Sequence, residues 1–254
     1  MELTHEQKQT FYEQGFVKLP GIVPMELVHD ALRAINASLG SEGIDPDRLP
    51  IFRSQTFCPE LTTAPPITRL LNASPLWSIA ESAIGPDAIQ PVQYGQIALR
   101  FPMMREAAKA TPHLDGMYSP NNGVPEGTIR NFTALIGVFL NDIPHNDMGN
   151  LAVWPGSHRL YESAFKEHGP QSLLNGLPSV ELPQPQQITA QVGDAALCHY
   201  QLAHGITGNS SPFTRYGIFF RLIHKNHDAW RWECMTNIWR EWAGMQSIVA
   251  SASL

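Results

Sequence analysis

From about Ala88 onward the chain is cut into short stretches with the length and composition of β-strands, and no other feature constrains its fold as strongly. Residues 92–101, 133–140, 151–154, 188–192, 195–200 and 216–223 are rich in branched and aromatic side chains. Between them lie turn formers such as Asn121-Asn122-Gly123, Asn141-Asp142, Gly149-Asn150 and Gly208-Asn209-Ser210-Ser211-Pro212. So many short strands after a helical opening predict a mainly β fold, a cupin-like jelly-roll sandwich buttressed by N-terminal helices. With 254 residues and no internal repeat, the chain reads as a single domain over 1–254. Its expected parts are a helical stretch over about 1–87, a jelly-roll core over about 88–225 and a tryptophan-rich helix over about 228–246.

Thr4 followed by Gln7 is the signature of a capping box, opening a short helix that stops near Gly15. Residues 16–19 alternate like a strand. Pro24 suits a first helical position, and Leu27, Val28, Ala31, Leu32 and Ile35 make an apolar stripe ending at Gly40. The proline-bearing stretch 41–66 reads as a long loop, and 67–84 as another helix. Near the other end, Trp232, Trp239 and Trp242 recur at helical spacing beside Trp230, with Met235 and Gln246 on the same face. That helix packs on the sandwich, joins two copies in a homodimer or covers a pocket.

The net charge is −6, from 17 basic and 23 acidic side chains, and no basic run appears. That balance argues against nucleic acid or an anionic membrane surface as the partner. Cys58, Cys198 and Cys234 are too few and too far apart for a disulfide framework or a paired-cysteine metal site. The first residues show no signal-peptide pattern, and no apolar run approaches the roughly 20 residues of a membrane helix. The expectation is a soluble cytoplasmic protein acting on a small molecule.

Within the strand region, His113-Leu114-Asp115 places two donor side chains two residues apart, on one face of a strand. His204, 89 positions beyond Asp115, is far enough along to return on another strand. Two histidines and one carboxylate can hold one face of an octahedral iron(II) and leave the opposite face open. Arg215 follows eleven positions later. A strand ending at His204 and another starting at Arg215 would aim both side chains into one barrel mouth. An arginine buried there needs an anion, since a buried charge without its partner costs on the order of 3–5 kcal/mol. A dicarboxylate that chelates the metal at one end and pairs with the guanidinium at the other meets both needs. A second triplet, His145-Asn146-Asp147, lies among turn formers and reads as an exposed loop. A zinc hydrolase built on the same triad would need a nearby general base and would leave Arg215 without a task.

In their order and spacing these residues resemble the phytanoyl-CoA dioxygenase family, within the iron(II)- and 2-oxoglutarate-dependent oxygenases. The resemblance begins with Leu3-Thr4-His5-Glu6-Gln7, Gly15-Phe16-Val17 and Leu19-Pro20-Gly21. It continues through His113-Leu114-Asp115 and Gly149-Asn150-Leu151, which runs into Trp154-Pro155-Gly156-Ser157-His158. Gly193-Asp194, His204, Asn209-Ser210-Ser211 and Arg215 close it. The resemblance implies a double-stranded β-helix, iron(II) on His113, Asp115 and His204, and Arg215 on the far carboxylate of 2-oxoglutarate. It implies O2 as oxidant, with succinate and CO2 released as a small organic molecule is hydroxylated or otherwise oxidised. Gln96, seventeen residues before His113, falls where some members place a glutamine on the co-substrate. Halogenases of the family lack the carboxylate, so Asp115 points to hydroxylation or a related oxidation. The alternative is a catalytically inactive metal-binding scaffold or sensor of the same fold, against which the intact triad and Arg215 count.

Arg100, Tyr118, Arg130, Phe132 and Trp154 are the expected pocket-rim residues, with Met103 and Met104 as an adaptable apolar wall. Residues 41–66, 116–130 and 159–187 are long enough to act as lids. The negative net charge weighs against a CoA thioester and for a secondary metabolite, amino-acid derivative or acyl compound. Pro155-Gly156-Ser157-His158 reads as a structural turn with His158 no metal ligand, His199 as a packed histidine, and Asn209 as a turn former.

Overall fold

A computed structural model describes residues 1–104 and 106–252. The capping box forms as expected: the Thr4 hydroxyl accepts from the Gln7 N–H at 3.2 Å, and the Gln7 side chain accepts from the Thr4 N–H at 2.9 Å. It opens α1 (His5–Gln14), which ends at Gly15 in the left-handed conformation. β1 (Phe16–Leu19) follows, then α2 (Met25–Glu42), with Pro24 as its N-cap rather than its first helical residue.

Residues 41–66 are not one long loop. They contain a 3₁₀ turn at Pro46–Arg48, α3 (Leu49–Ser54), a second 3₁₀ turn at Pro59–Leu61 and the start of α4 (Pro65–Asn72). Each carries proline in its first two positions, where the missing N–H costs nothing. The helix expected over 67–84 is two, α4 and α5 (Leu76–Ile84), because Pro75 follows Ser74 between them.

The strands are β2 (Gln96–Arg100), β3 (Ala134–Phe139), β4 (Leu151–Val153), β5 (Gln186–Gln187), β6 (Ala195–His199), β7 (His204–Ile206) and β8 (Arg215–Leu222). Helix α6 (Ser157–His168) fills part of the stretch expected to be a lid. In 188–192, expected as a strand, the pairing is an isolated bridge from Ala190 to Ile143. β7 starts at His204, where a strand was expected to end.

Five strands form one antiparallel sheet in the order β1-β6-β3-β8-β2, and three form a second in the order β5-β4-β7. Alternation across the larger sheet builds two cores. Ile136, Val138, Leu197, Ile218 and Phe220 face α2, α4 and α5, burying Val28, Ala31, Ile35, Leu70 and Ile79. Leu135, Phe139, Ala196, Cys198 and Phe219 face inward, onto Leu151 and Val153 of the smaller sheet. This is the jelly-roll with its helical buttress, the inner face being where a site can open.

The C-terminal part is not one helix over 228–246. α7 (His227–Trp230) and α8 (Glu233–Thr236) are single turns, and α8 stops at Asn237, whose φ and ψ of −132° and 78° lie outside the helical region. A 3₁₀ turn at Ala243–Met245 leads into α9 (Gln246–Ala252). Irregular backbone lets Trp239 and Trp242 both reach inward, against Phe11, Tyr12 and His199. These two tryptophans are used inside the chain, so a homodimer contact would not be made with them. No helix of the described residues is long and apolar enough to cross a membrane.

Candidate active site

His113 and His204 pair across an antiparallel bridge, each N–H donating to the other's carbonyl at 3.0 and 3.1 Å. Opposed residues of such a pair share a face, and the imidazole centroids lie 4.6 Å apart. The Nδ1 of His113 meets the Thr111 carbonyl at 3.3 Å and that of His204 meets the Leu202 carbonyl at 3.0 Å. In the neutral rings, donation to those carbonyls puts the proton on Nδ1 and leaves the Nε2 lone pair for a metal, whereas a protonated ring can donate from Nε2 to Asp115. Asp115 Oδ1 lies 3.5 Å from Nε2 of His113 and 3.6 Å from Nε2 of His204. Three ligand atoms thus lie within 4.8 Å of one another, a set that could hold one metal ion. After Asp115 the chain must turn sharply. Gly116 is left-handed, and a Cβ there would stand 2.1 Å from the Arg130 carbonyl oxygen.

Asp115 has a further partner that sequence reasoning missed. Arg221 Nε and Nη2 both reach Oδ2, at 3.0 and 2.5 Å, which leaves Oδ1 for a metal. Burial would raise the Asp115 carboxyl, but the Arg221 charge and hydrogen bonds from both histidines outweigh it and hold it well below the usual range. For His113 burial pulls down, and the hydrogen bond and charge of Asp115 more than reverse it. The available signal was parity: Arg215, Gly217, Phe219 and Arg221 alternate onto one face of β8.

Arg215 lies buried along that face. A Cβ on Gly217 would stand 2.5 Å from its Nη1, so the bare glycine is what lets the guanidinium lie over the strand. Nε donates to the Gly149 carbonyl at 2.8 Å and Nη1 to the Ala98 carbonyl at 2.9 Å, while Nη2 is buried without a partner among the described residues. Burial, and secondarily the nearby Arg100 charge, lowers Arg215 to about 9. An unsatisfied cationic donor at this depth fits an anionic group such as a carboxylate.

Above the triad lies a cavity of about 490 Å³, lined among others by Gln96, Ala98, Arg100, Leu135, Leu151 and Phe219. Gln96 is one of its lining residues, and its Oε1 accepts from Arg221 Nη2 at 3.0 Å. Arg100 and Tyr118 also line the cavity. Arg130, Phe132 and Trp154 do not: Arg130 is exposed, Phe132 packs on Tyr200 and beneath Arg221, and Trp154 is in the inner core. Met117 rather than Met103 or Met104 supplies the methionine wall, and Met104 is fully exposed. Of the three expected lids, the first contributes Arg53 and Ser54 and the second Met117, Tyr118, Ser119 and Asn122. No residue of 159–187 lines the cavity, since α6 packs Tyr161 and Phe165 into the inner core instead.

The remaining histidines separate from this centre. His145 is an exposed turn residue, as expected, and Asp147 is left-handed with φ 60°. His199 is buried beside Trp239, as expected, and His158, expected in a turn, is buried beside the same ring in the first turn of α6. Asn209 does shape its turn, donating to the Arg100 and Phe213 carbonyls and accepting from Ser211. A second close group, His227, Cys234 and Glu241, was not anticipated. It is buried and internally satisfied: His227 bonds Glu241 at 2.8 Å, and the Thr133 hydroxyl donates to the other Glu241 oxygen at 2.6 Å.

A family profile described as phytanoyl-CoA dioxygenase (PhyH) matches residues 11–217. No curated protein sequence matches the chain. Among solved structures, HygX from Streptomyces hygroscopicus with nickel and 2-oxoglutarate bound is 20% identical, with a TM-score of 0.56 and 88% of each chain covered. EctD from S. alaskensis with 2-oxoglutarate and 5-hydroxyectoine is 19% identical at a TM-score of 0.57, covering 87% of this chain and 76% of its own. The non-heme monooxygenase ThoJ in its apo form is 18% identical at 0.58, covering 86% and 77%. At these identities the structures speak for the shared fold, and the profile decides the family. The chain belongs to the phytanoyl-CoA dioxygenase family of iron(II)- and 2-oxoglutarate-dependent oxygenases.

Proposed function

We propose that His113, Asp115 and His204 hold iron(II), that the distal carboxylate of 2-oxoglutarate pairs with Arg215, and that a small organic molecule is oxidised in the cavity above them. The observation that carries this reading is the buried Nη2 of Arg215, which has no partner on the sheet face that leads to the triad. The oxidising power would come from O2 reduced at the iron as 2-oxoglutarate is decarboxylated to succinate.

The chain's own residues bind and orient. Histidine Nδ1 contacts fix the two rings, and Arg221 turns Asp115 so that one oxygen faces the metal position. Ala98, Leu135, Leu151 and Phe219 make an apolar corridor that limits water around the co-substrate. No general base is needed for hydrogen abstraction from carbon, and Asp115, already engaged by Arg221, is not free to act as one.

The test is anaerobic addition of iron(II) and 2-oxoglutarate to the metal-free protein, read as the visible charge-transfer band of the chelate. The band is expected in the wild type, absent in His113→Ala and weakened about tenfold or more in apparent 2-oxoglutarate affinity in Arg215→Ala. Bound iron with no band in the wild type would remove the oxygenase assignment of this site.

A further inference from the structure

The walls of the cavity carry more positive charge than the reaction uses. Arg53 from α3, Arg100 from β2, Lys109 and Arg221 all line it, and the acidic residue among its lining is Asp115. A divalent metal and a dicarboxylate together add no net charge, and Asp115 already faces Arg221. That leaves Arg53, Arg100 and Lys109. Among the described residues none of the three has an acidic side chain within 4.0 Å.

Arg100 is the informative member. It lies opposite Arg215 in the β2–β8 register, so both side chains rise on the site face. Arg215 is not among the residues lining the cavity and keeps only Nη2 for a ligand, whereas Arg100 lines it and, among the described residues, has one protein partner, its neighbour's Leu99 carbonyl at 3.0 Å. Burial, then the charge of Arg53, lowers Arg100 to about 10, which reports two cations close together without an anion between them. Like charges gathered at the mouth of a cavity attract a ligand of opposite sign. Whole-chain charge says nothing of this, because the excess acids lie elsewhere.

We propose that the substrate is an organic anion, bearing a carboxylate or phosphate that Arg53 and Arg100 hold while its oxidisable carbon lies over the metal position. Lys109, from the segment leading to His113, closes the anion site from that side. The substrate shares about 490 Å³ with the co-substrate, which limits it to a compact molecule. This inference rests on the oxygenase reading of the same site.

The experiment uses anaerobic protein loaded with iron(II) and saturating 2-oxoglutarate, with phenyl phosphate and benzyl alcohol as a charged and a neutral probe. Binding is read by iron-induced broadening of probe resonances, and the chelate band is followed in parallel. The expected result is phenyl phosphate binding about tenfold more tightly than benzyl alcohol, with Arg53→Ala and Arg100→Met each losing most of that preference and keeping the band. Equal binding of the two probes, or a preference insensitive to both substitutions, would overturn the proposal. Loss of the band in Arg100→Met would do the same, by assigning Arg100 to the co-substrate. No band in the wild type would instead remove the oxygenase reading, and this inference with it.

Discussion

Arg221 shows how much of a metal centre can depend on a side chain that need not touch the metal. Its two nitrogens occupy Oδ2 of Asp115, and Gln96 accepts from the same guanidinium, so two side chains from distant parts of the sequence, one acting through the other, fix one carboxylate. Removing it sets two effects against each other. Loss of a nearby cation would favour a dication by itself, whereas loss of orientation costs affinity, and partners of metal ligands typically contribute 10–100-fold. Orientation should win here because, among the described residues, Arg221 is the one partner of Asp115 Oδ2. Arg221→Met is therefore expected to weaken nickel(II) or iron(II) binding by about tenfold or more, read by competition with a chromophoric chelator. Arg221→Lys keeps the charge but not the planar fork, and should recover only part of the loss. Unchanged affinity in both variants would mean that the histidine contacts alone orient the site.

At the scale of elements, the C-terminal segment acts as a clamp. Trp242 is 1% exposed, 4.9 Å from the Phe11 ring of α1 and stacked at 5.4 Å on His199 at the end of β6. Truncating so large a buried ring leaves a cavity where helix, sheet and C-terminal segment meet. Trp242→Ala should cost about 3–5 kcal/mol of unfolding free energy, and Trp242→Phe distinctly less. Urea denaturation followed by circular dichroism measures both, and a loss below about 1 kcal/mol for Trp242→Ala would show that the clamp is dispensable. The same elements mark where sequence reading succeeded and failed. The central strands β3 and β6 were legible because each is buried along its whole length and reads as a nearly continuous apolar run. The triad was legible because residues two apart share a face and Arg215 stood at a sensible distance. Prolines in 41–66 were read as breakers although they stand at helix starts, a distinction that local composition does not carry. The C-terminal tryptophans fit helical spacing but meet a surface whose shape is set by α1 and β6, far away in sequence. Arg221 escaped notice because only strand register brings it to Asp115.

Across the whole molecule, acid stability should turn on two histidines that the chemistry does not use. His158 and His199 lie together with Trp239 where α1, α6, β6 and the C-terminal segment meet. Burial brings His199 down to about 4 and pushes His158 well below its ordinary value, to which the neighbouring His199 adds. In the unfolded chain both titrate near about 6.5. As pH falls below that, the unfolded chain takes up protons that the folded chain refuses, so stability is lost on acidification. For His199 the loss continues until the folded value near 4 is reached. Each group sets a limiting slope of about 1.4 kcal/mol per pH unit. The other shifted groups act elsewhere or more weakly. His113 is raised by Asp115, so its contribution is complete below about 6.5 and disappears as pH rises through its folded value. Asp194 is lowered, chiefly by backbone N–H donors and Lys18 acting against burial, so it contributes above about 4 and is lost below. His224 is lowered too, and adds to the same limb as the buried pair. The melting temperature of metal-free protein should therefore fall steadily from pH 6.5 towards 4.5, and His158→Asn should flatten that limb. A melting temperature level from pH 7 to 5 would mean that both imidazoles take up protons inside the folded protein, and that the cluster between α1 and the C-terminal segment is open to water.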